Sequence, residues 1–394
     1  MAQIRGRICV LDSEILILKT QNKEFKLDIN SLNELAPDFS VVECLRVGDL
    51  VEVLNGQITL LVPSHREEPF SSEFDRERAI LWNNYLQTLR DFFKERDFIE
   101  LRTPSLVVSP GLEPFLDPFK TQWNLNQKCR DLYLPTSPEF HLKKALTRGF
   151  ERIFEFKECF RNGELSSTHS PEFLMLEWYR AYEKTESVIE DVSHLLGSLQ
   201  RKFLPDQPPK EVAVLKMEDL WKDILNFKLT PETKLGELKE LGASLDVGKD
   251  EKDFDDLFNL IFLEKLEPAI EKLKTPVIIW HYPPSQSALS RLTQEGWADR
   301  FEVYWQGLEL ANAFNELNDY AEQRNRFEID QQKKKKLGKE VVPVDEELME
   351  ALKFGMPPST GIALGVERLF MALFNLKELS QCRLFSFERT VEKG

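Results

Sequence analysis

Residues 171–182, PEFLMLEWYRAY, alternate with the period of a β-strand, and the alternation divides them unequally. Leu174, Leu176 and Trp178 share one purely apolar face, which can rest only on a hydrophobic core. Phe173, Met175, Glu177 and Tyr179 share the other, where a carboxylate and a phenol sit among flat or soft groups, as in the floor of a pocket. On this stretch alone Glu177 could equally be the exposed residue of an edge strand. The preceding RIFEFKECFRN reads as a second strand, making a hairpin whose loop, NGELSSTHS, has Arg161 at one end and His169 at the other. Such a loop can close over a phosphate chain. Arginine makes bidentate contacts to non-bridging oxygens, histidine adds a donor, and Phe173 offers a stacking face to a base. Arginine, phosphate and aromatic together point to ATP.

At 394 residues the chain exceeds what one hydrophobic core comfortably serves, and 42% apolar residues suffice for a large domain with a smaller appendage. Residues 1–66 supply the appendage. QIRGRICV, EILILKT, EFKLDI, GDLVEVLN and QITLLVP alternate in strand period between polar turns, which predicts a small all-β barrel, OB-like. PSHREEPFSS reads as a linker, so a second domain spans 67–394. It opens with the helical spacing of FDRERAILWNNYLQTLRDFFKERDF. Within it LRTPSLVV, LYLPTS, TPVIIWHYP, RFEVYWQGLELAN and STGIALGV look like further strands, mostly with hairpin-type links. EFHLKKALTRGFE, DEKDFDDLFNLIFLEKLEPAIEKL and VDEELMEALKFG look helical. The expectation is an α+β domain with a largely antiparallel sheet flanked by helices.

Charge and cysteine usage exclude several classes. A net charge of −15 argues against a protein that lives by gripping nucleic-acid backbone, and suits a cationic small substrate better. The first 66 residues carry seven basic against nine acidic side chains, with Phe25 and Phe39 as their only aromatics, a poor set for reading single-stranded RNA. Lys333-Lys334-Lys335-Lys336, the one basic block, reads as a solvated helix face, with contact to an acidic partner as the alternative. No apolar run approaches the roughly 20 residues that cross a bilayer, and MAQIRGRICVLDSE lacks a signal segment, so a cytoplasmic protein is expected. Cys9, Cys44, Cys129, Cys159 and Cys382 show neither a disulfide framework nor zinc spacing, and Cys159 reads as a packed thiol.

Two more clusters carry chemistry. In RFEVYWQGLELANAFNELND, a two-residue turn at Gln306-Gly307 would set Tyr304 opposite Glu309 and Glu302 opposite Ala311. Glu302 and Glu309 then share a sheet face and could share Mg²⁺; surface glutamates on a hairpin are the alternative. Strict alternation turns Asn312 and Glu316 to the opposite face, so they join the site only if the chain bulges around ANAF. In STGIALGVERLFMALFN a strand end runs into a helix with Arg368 in its first turn. There a helix start and an arginine make an anion site for terminal phosphates, although a lone helical arginine is ordinarily a surface residue.

Together the clusters resemble the three signature motifs of class II aminoacyl-tRNA synthetases, most closely the lysine group. FIELRTPSLVVSPGLEPFLDPF resembles the dimer-forming first motif, FRNGELSSTHSPEFLMLEWY the second and GIALGVERL the third, over residues 70–394 in the family's order. Ser137 in TSPEFHLKKAL and Ala363 in GIALGVER, with HYPPSQSALSRL, make the chain look most like the elongation factor P lysine ligases. These are paralogues that attach β-lysine to a protein lysine. The resemblance implies ATP and Mg²⁺, a homodimer, and elongation factor P rather than tRNA as acceptor. Arg161 and Arg368 would be catalytic. Arg161 would hold the α-phosphate and substrate carboxylate, His169 and Arg368 the distal phosphates, Phe173 the adenine, and Glu302 and Glu309 the metal. Asn162 and Glu164 would complete the ATP site. Glu139 would meet the amine near the substrate carboxylate, Glu177, Tyr179 and Glu316 the distal ammonium, and Asn312 the carboxylate, with Ser137 and Ala363 lining the same pocket.

The chain departs from the family in having Gly163 before Glu164, where glutamate ordinarily follows Arg-Asn directly, in Glu367 for aspartate, and in the extra N-terminal barrel. The mechanism implied is in-line attack of a lysine or (R)-β-lysine carboxylate on ATP, giving an aminoacyl-adenylate, followed by transfer to a protein amine. A lysyl-tRNA synthetase with a reduced barrel and a catalytically silent regulator are the competing readings.

Overall fold

A computed structural model describes residues 3–11, 15–20, 23–28, 45–54, 57–65, 76–126, 128–287 and 289–387, in two compact units, Met1–Ala79 and Ile80–Gly394. Among these residues no helix is long and apolar enough to cross a membrane.

In the first unit the five expected segments are all strands: β1 (Ile4–Leu11), β2 (Ile15–Lys19), β3 (Glu24–Asp28), β4 (Leu50–Leu54) and β5 (Gln57–Val62). They pair antiparallel in the order β3-β2-β1-β4-β5. Alternation puts Ile8, Leu16, Leu18, Val51 and Val53 on one side as a small core with Leu45. Phe39, Cys44 and residues 66–72 of the expected linker, Arg66 among them, lie outside the described residues.

The second unit is built on an eight-stranded sheet, ordered β11-β12-β13-β14-β15-β10-β9-β6. Its members are β6 (Ile99–Glu100), β9 (Arg152–Phe160), β10 (Glu172–Ala181), β11 (Ala213–Lys216), β12 (Val277–Tyr282), β13 (Ala298–Trp305), β14 (Leu308–Asn315) and β15 (Ser359–Gly365). Only the outermost pairs, β11 with β12 and β6 with β9, are parallel. A separate hairpin joins β7 (Lys120–Leu125) to β8 (Lys128–Tyr133).

The back of the sheet is covered by the helices Arg76–Lys94, Thr185–Phe203 and Val366–Phe374. Tyr85, Phe93, Leu195 and Phe370 pack there with Leu176, Trp178, Phe301, Val303, Ile362 and Leu364. Arg180 and Trp178 both bond Asp191, which pins the Thr185–Phe203 helix to β10. On the front, two smaller cores stand at opposite sides. One surrounds Trp221, Phe258 and Tyr304; the other holds Phe140, Tyr179 and Phe327. A cleft runs between them.

Three sequence expectations need correction. LRTPSLVV is not a strand: apart from the bridge of Val107 to Tyr133 it is irregular. Pro104 has no N–H for a ladder. Side chains of β9 hold the segment instead, since Lys157 Nζ donates to the Thr103 and Pro104 carbonyls (2.7 and 2.8 Å) and Glu155 accepts from the Thr103 N–H (2.8 Å). LYLPTS is strand only up to Tyr133, because Pro135 ends it. The basic block does end a polar helix, Tyr320–Lys336, but Lys334 is buried and Lys333 lies 4.8 Å over the Phe115 ring. Only Lys335 and Lys336 are the solvated face expected of all four.

Candidate active site

The turn at Gln306-Gly307 forms as expected, both residues having positive φ (55° and 73°), the geometry of a type I′ hairpin turn. Tyr304 faces Glu309, but Glu302 faces Asn312 rather than Ala311. The difference is a β-bulge at Leu310, one extra residue in β14 whose side chain goes to the core with that of Ala311. Two successive residues thus point backward, and the parity of everything after them changes. Asn312, Phe314 and Glu316 come round to the face of Glu309. The bulge that the sequence could only pose as a condition therefore exists, and it lies two residues before Asn312.

Its consequence is a continuous row across the sheet. Glu302 on β13, Asn312 on β14, Ala363 on β15 and Glu177 on β10 are successive partners. One strand position further along, Arg300, Phe314, Gly361 and Tyr179 make a second row. Gly361 has to be glycine, because a Cβ there would collide with the Tyr179 ring and the Glu316 carboxylate. Two cavities of about 200 and about 670 Å³ open over these rows and share Arg161, Met175, Glu309, Asn312 and Ala363 as lining.

The smaller cavity is the cationic end. Arg161, just past β9, lies 5.0 Å over the Phe173 ring, with Glu164 3.8 Å from its guanidinium. Arg368, in the first turn of the Val366–Phe374 helix, donates to the Glu309 carbonyl (3.1 Å) and to His169 Nε2 (2.5 Å). Since a guanidinium has only donors, Nε2 must accept and the ring proton must sit on Nδ1, where Ser166 Oγ lies at 2.9 Å. Burial and the Arg368 charge hold the imidazole pKa below its ordinary value, keeping it neutral. His169 thus orients Arg368 here. Asn162 is exposed and lines neither cavity; its N–H bonds the Asp117 carbonyl.

Glu302 and Glu309 share a face on adjacent strands. Glu302 accepts from Tyr282 (2.6 Å), Tyr304 (2.5 Å) and Arg300. Among the described residues no side chain donates to the Glu309 carboxylate, and burial followed by the Glu302 charge raises its pKa. A cation would relieve both. No group of three His, Cys, Asp or Glu side chains placed to hold a metal ion by themselves is present among the described residues. Two carboxylates suit a hard ion such as Mg²⁺ that takes its remaining ligands from phosphates and water.

The larger cavity is the acidic end. Glu177, 1% exposed, accepts from Ser137 Oγ (2.6 Å) and Tyr179 OH (2.8 Å). Burial, then the charge of Glu139, push its pKa up to about 8. Ser137 in turn accepts from the Glu139 N–H (2.9 Å), starting the helix Glu139–Leu146. Burial also raises the pKa of Glu316, against the opposing charge of Lys143. Asn312 Oδ1 accepts from Arg300 Nε (3.1 Å). Cys159 is buried, its thiol pushed well above the usual range, and fits no nucleophilic role.

Of the expected site residues, all but Asn162 line this cleft or its wall. Sequence reasoning missed Arg300, Tyr282 and Lys143. Arg300 was recoverable, since it alternates with Glu302 and Tyr304 on β13. Lys143 sits four residues after Glu139, one helical turn. Of the family departures, Glu367 is buried, accepts from the Leu174 N–H through both oxygens (3.1 Å each) and pairs with Arg383, so the longer acid ties β10 to the C-terminal segment.

A family profile for class II tRNA synthetases (D, K and N) matches residues 70–389. The chain is 39% identical over 312 residues to the elongation factor P–(R)-β-lysine ligase of Edwardsiella ictaluri, covering 77% of this chain and 93% of that one. It is 36% identical over 311 residues to the protein of that name from Hamiltonella defensa (77% and 93%), and 37% over 308 residues to the one from Salmonella arizonae (76% and 92%).

Proposed function

We propose, starting from the fact that this chain belongs to the class II (D, K and N) tRNA synthetases and to their elongation factor P–(R)-β-lysine ligase branch, that it activates lysine or (R)-β-lysine with ATP and transfers it to a lysine of elongation factor P. The observation that carries the reading is the polarity of one cleft. Arg161, Arg368 and the Phe173 ring stand at one end, Glu139, Glu177 and Glu316 at the other, and Asn312 between them. A diamino acid lying along it points its carboxylate at the arginines.

A carboxylate oxygen of the substrate would attack the α-phosphorus of ATP in line. The bond to the bridging oxygen breaks, pyrophosphate leaves, and an aminoacyl-adenylate remains. Arg161 bears on the α-phosphate and Arg368, oriented by His169, on the distal phosphates; Phe173 underlies the base. Bound Mg²⁺ would neutralise phosphate charge, with Glu309 and Glu302 as its protein ligands. No strong general base is needed, because positioning and charge neutralisation do the chemistry. The acceptor amine, arriving neutral, then attacks the carbonyl and releases AMP. The exposed apolar side chains Ile99, Leu106 and Val108 on the first motif support assembly as a homodimer.

The test is to offer ATP, Mg²⁺ and labelled α- or β-lysine with elongation factor P and bulk tRNA in parallel. Label on the protein factor is expected, the faster isomer naming the substrate. Label on tRNA alone would replace this reading with a lysyl-tRNA synthetase, and no activation of either isomer would leave a silent regulator.

A further inference from the structure

One buried cation has no part in the chemistry above. Lys143 is 2% exposed and lines neither cavity, yet its ammonium stands 2.5 Å from Glu139 Oε1 and 2.6 Å from Glu316 Oε2, both of which do line the larger one. It clasps two walls of the pocket from behind: Glu139 at the start of its own helix, and Glu316 just past β14. We propose that Lys143 is a fixed counter-cation that sets the charge of the substrate pocket to that of a diamino acid. It is a positioning residue through which selection for two ammonium groups is built in.

The count is local because neighbouring charges are balanced separately. Glu302 is paired with Arg300. Glu309 lies beside Arg368, Arg300 and Arg161; Glu113 faces Glu139, with burial and that charge raising its pKa against Arg161 and Lys334, and Asp255 and Asp330, also on the lining, lie beside Lys333. Lys144 turns away to Asp345 (2.9 Å) and Glu347 (3.0 Å), and His141 lies toward the same outer charges. The Tyr179 phenol is a neutral donor to Glu177. What remains is three carboxylates, Glu139, Glu177 and Glu316, against one ammonium. Ionised, the group carries two net negative charges. Lysine and β-lysine each bring two ammonium groups and send their carboxylate to the opposite end of the cleft, so the filled pocket is neutral. Without Lys143 a third negative charge would be uncompensated in a buried site, and the carboxyls would hold their protons to still higher pH, where a substrate ammonium needs an anion.

The inference rests on the lysine-activating reading, so lysine-dependent pyrophosphate exchange by the wild-type enzyme is measured first, then KM for lysine and for ATP from pH 6 to 8.5. Lys143→Gln is expected to raise the lysine KM at pH 7 by about tenfold or more and to move the pH midpoint of that KM upward by about one unit, with the ATP KM unchanged. Lys143→Arg, which keeps the charge, is expected to restore the midpoint. A folded Lys143→Gln enzyme with lower kcat and an unmoved midpoint would reduce Lys143 to a packing role. Should the glutamine variant fail to fold, the arginine variant decides, because a midpoint displaced by about a unit with the charge retained overturns the proposal. Wild-type exchange that ignores lysine overturns the underlying reading instead.

Discussion

At the scale of single residues, the site separates groups held ionised from groups held neutral. Glu177 differs from an ordinary surface carboxylate in losing water, in facing Glu139 and in having only two neutral hydroxyls as partners. Its folded pKa of about 8 lies above the unfolded value, so the stability it confers on the empty enzyme is complete below about pH 4.5 and is lost as pH rises through about 8. Substrate binding has the opposite sign, because an ammonium needs the carboxylate. Lysine affinity should therefore rise with pH, by up to about tenfold per unit between pH 6 and 8, while ATP affinity does not follow. The check is the lysine KM across that range. A flat profile in the wild type, or the same slope in Glu177→Gln, would rule out Glu177 as the titrating group.

At the scale of elements, the decisive feature is the bulge in β14. Leu310 is 2% exposed, and its insertion turns the second half of the strand over. Deleting Leu310 would remove the extra residue and leave Ala311 facing the core and Asn312 the cleft, so the variant loses one buried leucine, at a cost of about 2–5 kcal/mol, and keeps Asn312 and Glu316 in the cleft. The expected result is a less stable protein whose lysine-dependent exchange stays within roughly tenfold of wild type. Thermal unfolding and exchange assays on one preparation read both effects. A folded deletion variant without exchange would mean that the bulge does more than set the faces of Asn312 and Glu316. The helix Tyr320–Lys336 teaches a related lesson. Polar on every side, it gave no periodic clue to which face is covered, and the burial of Lys334 is set by the loop carrying Glu113, Phe115 and Asp117.

At the scale of the whole molecule, the two units have separate cores, and every residue lining the cleft lies between Leu112 and Leu379. A chain beginning at residue 70 is expected to keep pyrophosphate exchange within about twofold of full length, as a domain with its own core should. Loss of exchange would show that the β unit supports the site; loss of transfer alone would assign that unit to acceptor handling.

The sequence by itself determined the five N-terminal strands, the hairpins of the large sheet, the faces of β10 and the residues of the cleft's two ends. The strands, hairpins and faces follow from local periodicity and turn chemistry, whereas Glu139 and Glu316 at the acidic end came only through the resemblance to the family's motifs. Tertiary structure decided what local pattern cannot carry. It shifted the register through Leu310, replaced the 101–108 strand by contacts from Lys157 and Glu155, made Lys334 a buried residue, and brought Lys143 between Glu139 and Glu316, the second of them 173 positions away along the chain. A bulge costs one residue and leaves no periodic trace. A buried cation looks like any other lysine until the fold brings acids from distant strands to meet it.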